Sequence, residues 1–473
     1  MDKLVASAEL AVADIPDGAT VALGGFGQQH CFATSLILAL RASGTKDLCI
    51  VANSMGGNGE IRGQILAESK QVKRLITSFS ARPGVPTAAE DQIAAGEMTA
   101  ELVPQGILVE RCRAGGAGIP AFYSPVSVGT AIADGKDIRY FDGKPFVLEH
   151  AILVDFALLR AYRADRAGNI EFRGGSRSLN PAFAKAARVA IVEVDEVVEI
   201  GGIPPDRVGL PGIFVSRVVK TTHKHDVTTM QPPPRRANDK PRLYNGKPGL
   251  TRSAMARRAA GIVKPGSYVN LGLGIPTLVS NYLEGRDVLL HAENGILGYG
   301  GMVSGQDIDP DIYNAGGQFV SVVPGASFFD SVTSFEMARG GRIDTVILGA
   351  YEVDEQANLA NWSTAQSVKS GIGGIGGAMD LVAGNSELIV IMEHTDSKDR
   401  AKLRRQCTYP LTGRACVHWI VTDLALLRWQ DGQFVLEEVA PGFSAAEVQQ
   451  LAEMKFALGP DIRTMSTMST MTA

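Results

Sequence analysis

Short apolar runs alternate with segments of helical periodicity along most of the chain. Runs that favour strands include residues 20–23, 48–52 and 74–76, and residues 36–40 between the first two favour a helix. Strands that are buried on both faces are almost continuously apolar, because helices cover the two sides of a parallel sheet. The pattern therefore predicts an α/β fold with open, mainly parallel sheets.

The first and second halves of the chain share residues at matching spacings. Residues 154–170 and 343–359 have the same order of Asp, Leu, Ala, Tyr, Asp and Asn. Two unrelated strand-turn units that share Asp and Asn turn chemistry would also produce part of this likeness. We expect two copies of one α/β fold, with a functional site at the interface between them. A second set of matches pairs Gly18, Val21, Leu23 and Gly24 with Gly266, Val269, Leu271 and Gly272.

The boundaries between the two copies follow from composition. Residues 227–250 contain Pro232-Pro233-Pro234 and little that could be buried, which is typical of a linker. Repeated Met, Ser and Thr at the end of the chain favour a disordered tail. The predicted organisation is a first domain at 1–226, the linker at 227–250, a second domain at 251–463 and the tail at 464–473.

Charge and cysteine content exclude several classes of protein. The chain has 473 residues and a net charge of −4, so no basic excess exists to neutralise a nucleic acid backbone. Five scattered cysteines favour a reducing compartment. The first residues lack the features of a secretory or transit peptide, and no apolar run reaches membrane-spanning length. We expect a cytoplasmic protein that binds neither nucleic acid nor membranes.

Glu293 is the leading candidate for chemistry. It follows the apolar run Val288-Leu289-Leu290 and precedes Asn294-Gly295, a dipeptide that favours a turn. Open α/β sheets bind ligands at the carboxyl ends of their strands, which is where this pattern puts Glu293. A carboxylate at such a position serves as a nucleophile, a general base or the partner of a nearby cation.

Two glycine-rich segments and one histidine pair are further candidates for ligand-binding or metal sites. Gly24, Gly25 and Gly27 follow a strand and would let backbone amides approach a phosphate or a pantetheine chain, although a tight structural turn has the same composition. Residues 371–376 satisfy G-x-G-x-x-G, but the polar segment before them is not a strand, so a dinucleotide site is not expected. His223 and His225 lack neighbouring ligands and favour surface positions over a metal site.

The segment His291-Ala292-Glu293-Asn294-Gly295-Ile296-Leu297-Gly298 resembles the glutamate motif of the family I CoA transferases, the succinyl-CoA:3-oxoacid and acetate:acetoacetate type. Residues 17–26 resemble the other signature of that family, from its first subunit. The order of the motifs is that of the two subunits fused in one chain. Further similar stretches lie at 103–106, 113–118, 324–329, 358–362, 376–380 and 410–413.

The resemblance implies a function and a set of site residues. Glu293 would form a glutamyl-CoA thioester during ping-pong transfer of CoA between short-chain carboxylic acids, with a 3-oxoacid such as acetoacetate as one partner. No cofactor or metal would be bound permanently, and a homodimer or a higher homo-oligomer would form. Gly24, Gly25 and Gly27 would contact CoA. Oxyanion and substrate contacts would come from Asn53, Gln105, Asn270, Gly377 and Ala378.

Three departures from the family pattern concern the substrates. Ala292 replaces the usual serine before the glutamate, residues 30–32 replace a Gly-x-Pro, and Gly317 stands where succinyl-CoA enzymes carry lysine. The loss of that lysine weakens the prediction of a dicarboxylate donor. Two alternatives remain open, namely an acyl-CoA hydrolase on the same scaffold and a non-catalytic acyl-CoA sensor.

Overall fold

The fold is described from a computed structural model. The structure describes residues 2–26, 32–57, 61–80, 87–223, 239–364 and 371–466. Two large sheets, one in each half of the chain, are covered by helices and carry most of the buried apolar residues. The expected α/β class with mainly parallel sheets is confirmed.

The first half is built on an eight-stranded sheet with the order β11-β10-β8-β1-β2-β3-β4, in which β9 pairs with β8 and all other pairs are parallel. A small sheet, β5-β7-β6, lies beside it. The strands are β1 Thr20–Leu23, β2 Leu48–Ser54, β3 Val72–Phe79, β4 Thr99–Leu102, β5 Ala121–Ser124, β6 Ile138–Phe141, β7 Lys144–His150, β8 Val154–Asp165, β9 Ile170–Glu171, β10 Ala187–Val198 and β11 Arg217–Lys220. The helices are α1 Ala8–Val12, α2 Thr34–Ser43, α3 Gly63–Glu68, α4 Ala88–Ala94, α5 Gln105–Gly116 and α6 Asn180–Ala186.

The second half has a ten-stranded sheet with the order β17-β16-β15-β14-β18-β21-β23-β24-β25-β26. In the order of the sheet, the strands from β15 to β23 run parallel and antiparallel hairpins extend both sides. The last strand, β26, pairs with β25 in parallel. The strands are β12 Leu243–Tyr244, β13 Lys247–Pro248, β14 Tyr268–Leu271, β15 Leu289–Ala292, β16 Ile296–Met302, β17 Val320–Phe328, β18 Thr345–Leu348, β19 Glu352–Asp354, β20 Leu359–Ala360, β21 Glu387–Ile391, β22 Leu403–Arg404, β23 Trp419–Val421, β24 Ala425–Gln430, β25 Gln433–Val439 and β26 Ala457–Thr464. The helices are α7 Arg252–Ala260, α8 Ser331–Arg339, α9 Ala378–Val382 and α10 Ala445–Gln450.

The two sheets repeat one topology. In the first half β1 lies between β2 and β8, and β10 follows β8. In the second half β14 lies between β15 and β18, and β21 follows β18. The four strands of each set are parallel, so the predicted pair of similar α/β units is confirmed.

The halves meet through helices and through one apolar cluster. Val332, Phe335 and Met379 of the second half belong to the same buried cluster as Ile107 and Leu108 of the first. These residues lie on or beside α5, α8 and α9. The first half therefore completes its core with side chains supplied by the second.

Two boundaries differ from the sequence prediction. Tyr244 and Leu250 are buried, and the Tyr244 hydroxyl donates a hydrogen bond to Asp423 at 2.8 Å. Residues 239–250 of the predicted linker therefore pack on the second half. Strand β26 includes Thr464, and Met465 is buried in the apolar cluster of the second half, with its amide donating to the Val439 carbonyl at 2.8 Å. The tail thus cannot begin at 464, and residues 467–473 lie outside the described part.

Candidate active site

Glu293 is the first residue beyond β15, at the carboxyl edge of the second sheet. The Gly295 amide donates to the Ala292 carbonyl at 3.0 Å and closes the turn into β16. Gly295 has a φ of 117°, and a Cβ there would lie 2.0 Å from the Phe329 carbonyl oxygen. Only glycine fits this position, so the turn after Glu293 is fixed by the sequence.

The Glu293 carboxylate is almost removed from solvent. The residue is 7% exposed, and its Oε2 atom has no hydrogen-bond partner among the described residues. Burial raises the pKa of Glu293 to about 7, the Asn270 side chain lowers it in part, and the negative charge of Asp380 raises it. A carboxylate with little hydration keeps a free oxygen for reaction.

Asn270 lies beside Glu293 on the neighbouring strand β14. Its side-chain nitrogen donates to the His291 carbonyl at 3.3 Å and lies 3.1 Å from His291 Nδ1. Asn270 and His291 are both fully buried and pair across β14 and β15. Asn270 thus lies next to the strand that leads into Glu293 and its side chain acts on that carboxyl, while its role toward substrate stays a prediction.

The first half contributes a pair of amides. The Gln105 side chain donates to Asn53 Oδ1 at 2.6 Å, and its backbone amide donates to the Gly376 carbonyl at 2.9 Å. A Cβ at Gly377 would lie 3.2 Å from Gln105 Oε1. Ala378 begins α9 directly after Gly377 and is half-buried. Asn53, Gln105, Gly377 and Ala378 thus form one group, whose hydrogen bonds in the described residues do not include Glu293.

Asp380 contacts Gly106, the residue after Gln105, and its charge acts on Glu293, although it was not among the predicted site residues. Its carboxylate accepts a hydrogen bond from the Gly106 amide at 2.8 Å and forms an ion pair with Arg339 at 3.3 Å. Arg339 also pairs with Glu110 of the first half at 3.2 Å. Burial raises the pKa of Asp380 to about 6, against the effect of Arg339. Asp380 lies within a stretch that resembles the family, which is the one signal that could have identified it.

A segment of the first half also supports the turn after Glu293. Asn294 donates from its side chain to the Tyr313 carbonyl at 2.7 Å, and a Cβ on Gly175 would lie 2.9 Å from that Asn294 nitrogen. Arg173, beside this glycine, forms ion pairs with Asp309 and with Asp311. The turn therefore closes against the first half, and a bulkier residue at Gly175 would displace it.

The glycines predicted to contact CoA have structural neighbours in the described residues. A Cβ on Gly24 would lie 2.0 Å from Asn180 Oδ1, and one on Gly25 would lie 2.2 Å from the Phe32 ring. Both glycines are buried, and Gly27 lies outside the described part. Their contact with CoA stays a prediction.

The second glycine-rich segment crosses to the first half. The Ser80 amide donates to the Gly373 carbonyl at 3.0 Å, and the Ser80 hydroxyl donates to the Gly371 carbonyl at 2.6 Å. Phe79 forms a β-bridge with Gly374. The segment therefore ties the end of β3 to the loop before α9, a role unlike that of a dinucleotide-binding loop.

A polar cavity of about 450 Å³ opens at the same edge of the second sheet, beyond β18 and β21. Its lining includes Arg252, Glu393 and Lys402. Arg252 pairs with Glu393, whereas Lys402 makes no side-chain hydrogen bond or ion pair within the described residues. Burial lowers the pKa of Lys402, and Glu393 opposes that effect. The cavity adds a cation to the edge that carries Glu293.

The described residues show neither a metal-binding cluster nor a membrane-spanning helix. In the described ranges no group of His, Cys, Asp and Glu side chains is arranged to hold a metal, and His225 of the histidine pair lies outside those ranges. None of the helices in those ranges has the length and apolar character that crossing a bilayer requires.

The sequence profile of the coenzyme A transferases matches residues 5–221 and 252–451. The chain belongs to the coenzyme A transferase family. The two matched segments coincide with the two halves of the fold, so each half of this CoA transferase is one family unit.

Individual relatives agree with this assignment. The chain is 39% identical over 96% of its length to the mitochondrial succinyl-CoA:3-ketoacid coenzyme A transferase 2A of Mus musculus, covering 89% of that protein. It is 46% identical to the beta subunit of the acetate CoA-transferase of Escherichia coli over 44% of this chain and 95% of that subunit. Almost a whole separate subunit thus matches less than half of this CoA transferase, as expected for two subunits in one chain.

A solved structure shares the fold. The acyl-CoA transferase YdiF from Escherichia coli O157:H7 superposes with a TM-score of 0.79 at 22% identity, covering 98% of this chain and 96% of that one. The expected CoA-transferase-like architecture is therefore confirmed. The mouse relative is mitochondrial by name, so the cytoplasmic location stays a prediction.

Proposed function

We propose that this CoA transferase moves CoA between short-chain carboxylic acids, with a 3-oxoacid such as acetoacetate as one partner, through a thioester on Glu293. The observation that carries the proposal is the buried Glu293 carboxylate with its unpartnered Oε2 atom. Transfer without loss of the thioester energy needs an enzyme group that forms both an anhydride and a thioester, and a carboxylate does so.

The reaction divides into two half-reactions. A Glu293 oxygen attacks the acyl-CoA carbonyl carbon and the C–S bond breaks. This step forms a mixed anhydride between Glu293 and the donor acid, and it releases CoA as a thiolate. The thiolate then attacks the Glu293 carbonyl carbon of that anhydride, and the donor acid leaves as a carboxylate. The acceptor acid repeats these steps in reverse order, and Glu293 is regenerated.

The surroundings of Glu293 suit both intermediates. Anhydrides and thioesters hydrolyse in water, and a site that is closed by both halves of the chain limits that loss. Each attack develops negative charge on a carbonyl oxygen, which amide donors stabilise. We assign this role to Gln105, Asn53, Asn270 and the backbone at Gly377 and Ala378.

The identity of the acids rests on the relatives and on one turn. The relatives described above are named for succinyl-CoA with 3-ketoacids and for acetate. Gly317 has a φ of 75°, and its amide donates to the Asn314 carbonyl at 2.9 Å. Glycine adopts this left-handed conformation more readily than lysine, so the turn suits the residue present. We propose a 3-oxoacid acceptor, with succinyl-CoA and acetyl-CoA as the donors to compare.

The test is trapping of the covalent intermediate. The protein incubated with acyl-CoA alone should gain the mass of CoA less one water on the peptide that contains Glu293. Glu293→Ala should gain none and lose CoA exchange. Exchange that survives in Glu293→Ala would contradict the proposal, and release of free acid at full rate without an acceptor would favour the hydrolase.

Assembly and location belong to the same proposal. We expect a homodimer in the cytoplasm, without a permanently bound cofactor. Light scattering of the purified protein measures the first expectation, and cell fractionation measures the second.

A further inference from the structure

The Asn270 side-chain nitrogen faces three acceptors from two residues, His291 and Glu293. It donates to the His291 carbonyl at 3.3 Å and lies 3.1 Å from His291 Nδ1. Its interaction with Glu293 lowers the pKa of that carboxyl. A primary amide has two N–H hydrogens, so the three acceptors compete for two donors.

The orientation of the Asn270 amide is set by the main chain. Rotation of the amide by half a turn would bring its oxygen against the His291 carbonyl oxygen, and two acceptors repel each other. The observed orientation leaves Asn270 Oδ1 buried without a hydrogen-bond partner among the described residues. The nitrogen therefore stays on the side of residues 291–293.

His291 is neutral and its proton has a defined position. The residue is 1% exposed, and burial lowers its pKa to about 4. A neutral imidazole carries one N–H, and Nδ1 faces a donor, so the hydrogen lies on Nε2. Nε2 lies 2.9 Å from Ser334 Oγ, which in turn donates to the Ala292 carbonyl at 3.4 Å. Ser334 thus accepts from His291 and holds this tautomer.

We infer that His291 is a positioning residue, which takes one Asn270 amide hydrogen and so limits the hydrogen bonding of Asn270 to Glu293, with Ser334 fixing the tautomer. This inference rests on the proposed role of Glu293 as nucleophile. A carboxylate that receives less hydrogen bonding is more basic and more nucleophilic. Asn270 remains able to strengthen its bond to Glu293 when charge develops there.

Other charged groups near Glu293 stay unchanged in the test. Tyr299 on β16 has a pKa raised by burial and by the charge of Glu293. Asp380 on α9, paired with Arg339 on α8, raises the pKa of Glu293. None of these three side chains forms a hydrogen bond with His291 in the described residues. A change in the acidity of Glu293 after substitution of His291 therefore reports on Asn270.

The first experiment measures the pH profile of kcat/KM for acyl-CoA. His291→Leu removes the competing acceptor, so Asn270 donates more fully to the Glu293 carboxylate and the acidic limb moves to lower pH by about one unit. His291→Gln offers a side-chain oxygen to Asn270 and an amide nitrogen to Ser334, and should return the limb to the wild-type position. An unchanged limb in His291→Leu would overturn the inference.

A matched control separates this effect from the loss of any buried histidine. His394 is also fully buried, and burial lowers its pKa to about 4. Its Nδ1 lies 3.0 Å from Thr422 Oγ1. It follows β21, which is separated from β15 by β14 and β18 in the sheet. His394→Gln should leave the limb in place. A shift of equal size in His394→Gln would mean that the effect is global and would also overturn the inference.

The second experiment needs no folded variant. ¹⁵N spectra of the histidine-labelled wild-type protein should show a bare Nδ1 and a protonated Nε2 for His291, and a protonated Nδ1 would overturn the inference. Failure of the proposed function has a different signature, because CoA would then exchange in Glu293→Ala. A normal CoA adduct with a protonated Nδ1 would reject the inference alone.

Discussion

Asn53 and Glu293 occupy equivalent positions in the two halves of the chain. In the first half Val51 lies opposite Ala22, and in the second half His291 lies opposite Asn270. Asn53 and Glu293 each follow two residues later, at the carboxyl edge of their sheets. The repeat thus supplies a neutral amide at one edge and a carboxylate at the matching place of the other.

The stability of the protein should depend on pH through Glu293. Burial raises its folded pKa from 4.5 to about 7, so the native state binds more protons than the unfolded state between these values. Stability from this group is therefore lost as the pH rises from about 4.5 to about 7. Glu293→Gln removes that loss, so its free energy of unfolding at pH 8 should exceed that of the wild type by about 3 kcal/mol. Denaturant unfolding at pH 4.5 and pH 8 measures the difference, and an equal gain at both values would contradict it.

Gln105 should matter for rate more than for folding. Gln105→Leu removes the side-chain amide, whose nitrogen donates to Asn53 and whose oxygen lies near Gly377, and we expect kcat to fall by about 10²-fold. Steady-state kinetics measures the loss. Gln71→Leu is the matched control, because Gln71 is buried in the same half and donates to the Leu40 and Thr45 carbonyls. The control should lower stability and keep kcat, and equal kinetic losses would remove the special role of Gln105.

Close contact between the halves should make Gly106 intolerant of a side chain. A Cβ there would lie 2.2 Å from Asp380 Oδ1 and 2.7 Å from Phe335 Cγ. Gly106→Ala should cost about 1–3 kcal/mol of stability through this overpacking. Gly301, whose Cβ would meet nothing within 4 Å, provides the control. Thermal unfolding compares the two variants, and similar melting temperatures would refute the contact.

Asp380 should influence both folding and chemistry. Asp380→Asn weakens the contact with Arg339, which keeps its ion pair with Glu110, and we expect stability to fall by about 1–3 kcal/mol. The same change removes a negative charge that raises the pKa of Glu293, so the acidic limb of kcat/KM should move to lower pH. Unfolding and a pH profile give the two readouts. A limb that moves to higher pH would reverse the assigned sign.

Much of the fold follows from local patterns. The predicted strands at 20–23 and 48–52 are β1 and most of β2, and Glu293 lies just past β15 as its flanking residues indicate. Local periodicity carries no record of contacts made far along the chain. The Asp380–Arg339–Glu110 network and the pairing of Ser80 with Gly373 depend on such contacts, so neither was predicted.

The domain boundary near Tyr244 and the tautomer of His291 also depend on contacts between distant residues, which local sequence patterns do not record. Tyr244 lies in a polar, proline-rich stretch of the sequence. In the fold its hydroxyl is buried against Asp423, which lies far along the chain in the second half. The His291 motif was identified from its likeness to a family. The position of its proton depends on Asn270 and Ser334, which the motif does not contain.

The shared apolar cluster sets an order on synthesis. The cluster that contains Ile107 and Leu108 is complete only when Phe335 and Met379 have left the ribosome, because those side chains belong to it. A nascent chain that has just finished the first half therefore lacks the second-half members of its apolar cluster and exposes that part of the cluster to solvent. Such a chain should depend on chaperones during this interval, and nonsense mutations between the two halves should yield an insoluble product.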